Sequence, residues 1–263
     1  MILEYHRPKT IEEALALIGR PSPKTLPLGG GTLLSKPTTD SVEVVDLQAL
    51  GLDTAKKNGN NLEIGATVTL QQLMENENCP DALKQSIKLE APLNICNAAT
   101  VAGTLVSCDG RSTFVTALLA LDAKIEQAIF DNTKVEYRVS NIGDFLPLRS
   151  KNLITKIIFP INTKFAFEFA SRTPADKPIV CAALAQWNSV RMRLALGGYG
   201  KSPLLAMDGT EADGIDASIN SAQAAARNAY HETKDDWASA EYRMDVAATL
   251  AKRCIEKLVH GKD

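Results

Sequence analysis

The chain has 263 residues, 45% apolar and 23% charged, with a net charge of −2 and no long basic run. That is enough for one large domain or two to three small subdomains with real cores, and it gives a nucleic-acid or anionic-membrane role no electrostatic support. The opening stretch MILEYHRPKTIEEALALIGR turns polar too soon for a signal peptide, and no apolar run is long enough to span a bilayer, so a cytoplasmic protein is expected.

Thr10 to Gly19 reads as the first helix. Thr10 and Glu13 fit a capping box, Ile11, Ala14, Leu15 and Ile18 share one face, and Gly19 stands where a C-cap glycine belongs. A short strand, Thr25 to Leu28, runs into Gly29, Gly30, Gly31 and Thr32. Three glycines in a row cost backbone entropy and need a reason. Either they make a strand-to-helix turn, or their N–H groups converge on a phosphate oxygen with the Thr32 hydroxyl beside them. Both readings stay open from this stretch. The segment is neither a P-loop, which needs GxxxxGK[ST], nor a GxGxxG dinucleotide fingerprint.

VEVVDL, Val42 to Leu47, reads as a buried strand, and residues 1–55 as a small α/β unit. Leu62 and Ile64 alternate with polar residues in a strand ending at Gly65; Thr69 and Gln72 form a second capping box, opening a short helix through Leu73. Asp81 to Glu90 reads as a helix stopped before Pro92. The next stretch, NAATVAGTLVS, reads as a second loop of small residues, with Ala102 and Gly103 as its tight point and Thr100 and Thr104 as hydroxyl donors. Two such loops in α/β surroundings point to a bipartite site for a long phosphate-bearing ligand, and a dinucleotide has that length.

Phe114, Ala117, Leu118 and Leu121 give a further helix face; Val135, Tyr137 and Val139 alternate as a strand, and LITKIIFP is another. The last hundred residues change character. Phe165, Phe167 and Phe169 alternate, IVCAALAQW is a buried strand or short helix, and Asn188–Ser189 turns it into the alternating Val190, Met192, Leu194 and Leu196. After Gly200 the pattern is helical and ends in a long helix from about Ala240 to Gly261, so this part reads as α+β. Trp187 reads as core. The five cysteines, Cys79, Cys96, Cys108, Cys181 and Cys254, make no CxxC pair, and His6, His231 and His260 are scattered. Spacing therefore supports no iron–sulfur cluster, zinc site or histidine triad.

The ordered set of segments resembles the FAD-binding (medium) subunit of the molybdenum hydroxylases, the family of xanthine dehydrogenase and aerobic carbon monoxide dehydrogenase. The likeness rests on GGGT (29–32), IGAT (64–67), ATVAG (99–103) and LLALDA (118–123). It continues in FASRTPADKPIVCAAL, RLALGGYGKSP and ASAEYRMDVAATLAKRCIEKL, so it covers essentially the whole chain. The resemblance implies an α+β fold. Two small N-terminal α/β subdomains, 1–55 and 56–162, would form a bipartite FAD-binding domain of the vanillyl-alcohol-oxidase/PCMH type. A C-terminal α+β subdomain, 163–263, would carry an antiparallel sheet and helices.

It further implies FAD contacts at Leu28, Gly29, Gly30, Gly31, Thr32, Leu33 and Leu34, at Gly65, Ala66 and Thr67, and at Ala99, Thr100, Ala102, Gly103, Thr104 and Val106. Asp109, Ser112 and Thr113 complete the implied set, with no catalytic side chain and no metal. The chain departs from the family at Ala102 (for glycine), Thr104 (for asparagine), Ser112–Thr113 (for Ser–Asp, with Asp109 close by) and Glu168, where some members carry lysine. The implied function is electron transfer from an iron–sulfur subunit, fed by a molybdopterin-binding subunit, through FAD to a small acceptor such as NAD or a quinone. The alternative is a scaffold or assembly subunit of the same fold with weak or no flavin binding.

Overall fold

In this computed structural model, residues 1–35, 39–131, 134–149, 152–174, 176–210 and 214–261 are described. The chain opens with β1 (Ile2–His6), α1 (Ile11–Ile18), β2 (Thr25–Leu28) and β3 (Val42–Asp46). Next come β4 (Ala55–Asn58), β5 (Asn61–Gly65), α2 (Leu70–Glu75), α3 (Asp81–Glu90), α4 (Leu93–Cys96), α5 (Val101–Ser107) and α6 (Thr113–Ala120). They are followed by β6 (Lys124–Phe130), β7 (Val135–Asn141), α7 (Ile142–Leu148) and β8 (Leu153–Pro160). The remainder holds β9 (Lys164–Ala170), β10 (Val180–Gln186), β11 (Arg191–Gly197), β12 (Leu204–Thr210), α8 (Ile215–Ala229) and α9 (Ala240–His260). Contacts divide the chain into two units, each made of three stretches. One is Met1–Glu77, Leu93–Ser107 and Lys124–Ile158; the other is Asn78–Pro92, Cys108–Ala123 and Phe159–Asp263.

The first unit has a parallel three-stranded sheet, β1-β3-β2, and a five-stranded sheet, β4-β5-β8-β6-β7. Helix α1 forms where its apolar stripe was read, and Ala14 and Leu15 pack on Val45, Leu47, Ala128 and Leu153. Half of its expected capping box is present. Thr10 Oγ1 accepts from the Glu13 N–H, while the Glu13 carboxylate accepts from Lys9 N, one residue before the cap. Gly19 is the C-cap in right-handed geometry, φ −75°. The Thr69–Gln72 box at α2 is complete. Strand β1 has no counterpart in the sequence reading, because Ile2, Leu3 and Tyr5 are exposed and no alternation announces burial. The alternation in β7 is real but does not bury: Tyr137 and Val139 are both exposed on an edge strand.

The second unit is built on an antiparallel sheet, β12-β11-β10-β9. Leu184, Leu194 and Leu196 pack with Ala222, Ala226, Leu250, Ala251 and Cys254 of α8 and α9. Helix α6 packs on β10 and β11 as well, so β10 is buried along nearly its whole length. A strand covered on both faces reads as an unbroken apolar run, which is why IVCAALAQW did not separate strand from helix. All eight residues of α6 are buried, and its N-terminus is held by Glu90 of α3, whose Oε2 accepts from the Phe114 N–H at 3.0 Å.

Three expectations are corrected. NAATVAGTLVS is not one loop, because its second half is the helix α5. The chain after Gly200 first makes β12 before turning helical. Trp187 is only half-buried, with the Arg191 guanidinium over its ring at 5.0 Å.

Candidate functional site

The glycine segment leaves β2 and crosses the stretch leading into α5. A Cβ on Gly30 would sit 1.5 Å from the Ala98 carbonyl oxygen, and one on Gly29 would sit 2.7 Å from Thr100 Oγ1. The two backbones touch where a side chain has no room. Gly31 is glycine for a different reason: its φ is +71°, in the left-handed region. The 99–102 stretch is also stitched to the segment after β5. Leu70 N donates to Ala99 O, Val101 N to Val68 O and Ala102 N to Ala66 O. Three separate sequence motifs, GGGT, IGAT and ATVAG, therefore form one cluster.

Thr100 organises its centre. Its hydroxyl accepts from the Gly103 N–H at 3.1 Å, and its carbonyl accepts from Thr104 Oγ1. The first N–H groups of α5 are thus satisfied by protein. The glycine turn differs. Among the described residues, the backbone N–H groups of Gly30, Gly31 and Thr32 donate to no protein acceptor. They border a cavity of about 270 Å³.

That cavity gathers Gly29, Gly30, Gly31, Thr32, Leu33, Leu34, Ala66, Thr100, Ala102, Gly103 and Val106 of the anticipated set. Leu28, Gly65, Thr67, Ala99 and Thr104 stand immediately beside lining residues without lining it. Gly65 packs against the Leu52 carbonyl, where a Cβ would come within 2.1 Å. Thr67 Oγ1 is buried with no hydrogen-bond partner. Sequence reasoning missed Leu26, Pro27, Leu47, Ser107, Asn152, Leu153 and Ile154. Leu153 and Ile154 open β8, whose apolar run reads as a strand and carries no sign of a ligand, and Asn152 directly precedes it. No charged side chain lines the cavity among the described residues.

Asp109, Ser112 and Thr113 lie in the other unit and are occupied there. Asp109 Oδ1 accepts from the Arg111 N–H of its own turn. Ser112 Oγ and Thr113 Oγ1 both donate to Glu90 Oε2, at 2.8 and 3.2 Å, and Lys177 Nζ reaches Glu90 Oε1 at 3.1 Å. Glu168 is paired with Lys257 at 2.5 Å, so its charge is balanced within the protein. Among the described residues one group has the makings of a metal site, Glu4, His6 and Glu43. Its buried Glu43 already has His6 Nε2 at 2.9 Å and the Arg20 guanidinium at 3.8 Å, which is an ion-pair cluster.

A cradle of free N–H groups over an apolar floor is what a phosphate-bearing aromatic ligand requires. Residues 1–162 match the family of the FAD binding domain in molybdopterin dehydrogenase, and residues 165–258 match the CO dehydrogenase flavoprotein C-terminal domain. The chain belongs to this flavoprotein family. Its cofactor is FAD, and its members are oxidoreductase subunits.

Within the flavoprotein family the chain is 30% identical to YgfM of Escherichia coli, a protein of uncharacterised function, over 95% of this chain and 94% of that one. It is 24% identical to the carbon monoxide dehydrogenase medium chain of Afipia carboxidovorans, over 97% and 96%. Its fold is that of carbon monoxide dehydrogenase from Hydrogenophaga pseudoflava (TM-score 0.83, 21% identity, 99% of this chain and 98% of that one). Quinoline 2-oxidoreductase from Pseudomonas putida 86 is similar too (TM-score 0.78, 20% identity, 99% and 98%). The residues present fit a flavin dinucleotide, because the free N–H groups and the Thr32 hydroxyl supply polar partners beside apolar surface. No helix among the described residues is long and apolar enough to cross a membrane.

Proposed function

We propose that this chain is the FAD-carrying electron-transfer subunit of a multisubunit molybdenum hydroxylase. The observation that carries the reading is the glycine turn, where the N–H groups of Gly30, Gly31 and Thr32 have no protein acceptor at the rim of an apolar cavity. They would take the diphosphate oxygens, with the Thr32 hydroxyl as a further donor. Among the described residues no cation lines the cavity, and backbone dipoles and hydroxyls would be the donors there. Leu26, Leu34, Leu47, Leu153 and Ile154 would bury the apolar part of the cofactor and keep water from it. In this reading residues 1–55 and 56–162 grip the cofactor.

Bound FAD supplies a carrier that can exchange electrons one or two at a time. The protein's part is position and electrostatics, and no acid or base is required of a side chain. The family's name for a relative, a medium chain, supports separate companion chains. Electrons would arrive from an iron–sulfur subunit, itself reduced by a molybdopterin subunit, and leave to NAD or a quinone.

The test is an absorption spectrum of the purified protein before and after reconstitution with FAD, followed by metal analysis of the tagged protein isolated gently from its own cell. Flavin bands, iron and molybdenum are expected together. A protein that stays colourless in excess FAD would instead be a scaffold of the same fold. A flavin-loaded chain that is always alone and turns over a small molecule would be a free-standing flavoenzyme.

A further inference from the structure

Strand β7 is the outer strand of the five-stranded sheet and pairs with β6 alone among the described residues. The Asp131 N–H donates to the Lys134 carbonyl at 3.1 Å, which sets the phase of the β6–β7 ladder. Counted in twos along the antiparallel register, Glu136, Arg138 and Ser140 turn their backbone groups toward Ile129, Gln127 and Ile125. Val135, Tyr137 and Val139 therefore turn theirs away from the sheet, and no turn or loop hydrogen bond takes them up.

The side chains alternate as well. Val135, Tyr137 and Val139 share one face, on which Tyr137 and Val139 are each 55% exposed. Phe130, opposite Val135 on β6, is exposed too and widens this apolar strip. Glu126, opposite Val139, is engaged by Lys156 at 3.9 Å and by the Thr155 hydroxyl at 2.7 Å. The other face carries Lys134, Glu136 and Arg138, with Glu136 lying 3.2 Å from Lys134 and 3.6 Å from Arg138.

Charges on an open edge ordinarily deter pairing. Here their order permits one partner. The run KVEYRVS (134–140) is self-complementary when laid antiparallel on itself about Tyr137. Tyr137 then meets Tyr137 of the second copy, Val135 meets Val139, Glu136 meets Arg138, and Lys134 meets the neutral Ser140. The outward backbone groups of Val135, Tyr137 and Val139 face their own kind in the same register, so ladder phase and charge order coincide. A slip of two residues one way sets Glu136 on Glu136 and Lys134 on Arg138; a slip the other way sets Arg138 on Arg138. Like charges directly opposite are destabilising, so both slips are disfavoured.

We infer that β7 is a self-association edge, on which a second copy of this chain adds its own β7 antiparallel and joins two five-stranded sheets across a two-fold axis at Tyr137. Glu136 and Arg138 of the two copies then form a ring of alternating sign, beside an apolar strip of valine and tyrosine. An isologous contact of this kind closes at two copies and does not propagate. It is independent of the flavin and of any companion chain.

The test is sedimentation velocity of the purified full chain over a range of concentrations, with thermal unfolding as the folding control. The parent should show a monomer–dimer equilibrium. Glu136→Arg and Arg138→Glu each set two like-charged pairs across the axis, and each should weaken the dimer by roughly ten-fold or more. Mixed in equal amounts, the two variants should recover a mixed dimer, because each carries the charge that the other lacks. Tyr137→Pro removes a backbone donor that β6 does not use, so it should fold and stay monomeric. If the charge variants unfold, Tyr137→Cys decides. Paired residues at the axis lie about 5.5 Å apart at Cα, within disulfide reach. This variant should form a linked dimer on mild oxidation, and Tyr242→Cys, on the exposed side of α9, should not. A parent that is monomeric at every concentration overturns the inference. So does a dimer indifferent to the charge reversals, a mixture of folded variants that stays monomeric, or a Tyr137→Cys protein that links no better than the Tyr242→Cys control.

Discussion

At the scale of single residues, the three glycines separate into distinct roles. Gly30 is small because another backbone passes through the space of its side chain; Gly31 is glycine because of its left-handed φ. Gly30→Ala must push the Ala98 carbonyl aside, an overpacking cost of about 1–3 kcal/mol. It should lower both the unfolding temperature and the flavin content. Gly31→Val leaves the crossing intact but forces a β-branched residue to positive φ, so flavin content should fall more steeply than stability. Gly209→Ala, where a Cβ meets nothing within 4 Å, is the neutral control. Flavin absorbance per protein and melting curves of the three variants decide this. Equal flavin in Gly31→Val and the parent would remove the turn from the site.

A second residue-scale expectation concerns acid. Asp208 is held below the usual carboxylate range, first by its hydrogen bond to Arg191 and then by the charges of Arg193 and Arg191, against a desolvation penalty. A lowered folded value means the stabilisation is complete above the ordinary carboxylate pKa of about 4 and is lost as pH falls through the lowered value. Asp208→Asn should therefore melt below the parent at neutral pH, and the gap should close in strong acid. A gap that persists unchanged at the lowest pH would assign the effect to packing.

Among the secondary-structure elements, those with a local signature were legible and those defined by tertiary partners were not. Helices α1, α2, α3 and α9 announce themselves through caps and stripes, and their observed ends agree with the reading to within a residue or two. Strand β1 has no such signal, because what defines it is a neighbouring strand far along the chain, whereas the alternation in β7 marks the strand without telling that its face stays exposed. The cavity followed the same rule. The glycine and small-residue segments were visible as motifs. Asn152, Leu153 and Ile154 were not, since the entry to a strand looks alike whether it lines a cavity or a core. Helix α5 reads as loop in the sequence because Gly103 and the β-branched Val101, Thr104 and Val106 are weak helix formers, and its start is fixed by Thr100 and by carbonyls from 66 and 68. On helix α9, Arg243 is fully buried and ties three partners together. Arg243→Ala should cost about 3–5 kcal/mol, because it strands the groups it satisfies. Chemical denaturation reads this directly, and a loss under 1 kcal/mol would show that the network is dispensable.

For the whole molecule, the cysteines record how thoroughly the interior is closed. All five are free and buried, and burial pushes the Cys181 thiol up to about 12. Such thiols are poor nucleophiles at neutral pH. A thiol-reactive dye should label the folded protein hardly at all and label five sites once it is unfolded. FAD should slow the appearance of those sites on heating, because a ligand bound only to the folded state stabilises it by mass action. Labelling that is fast in the native protein and insensitive to FAD would contradict both statements.

The chain passes from one compact unit to the other five times before it ends. A gene cut near residue 162 would therefore not yield two independent proteins. The N-terminal product would carry α3 and the wholly apolar α6 without β10 and β11, the strands on which α6 packs. Made alone, it should aggregate; made together with the complementary piece, it should recover a soluble pair held by those strands. In evolutionary terms the two halves are bound to travel as one gene. Recombination that exchanges one half for a distant relative's would have to carry the matching helix from the other side of the splice.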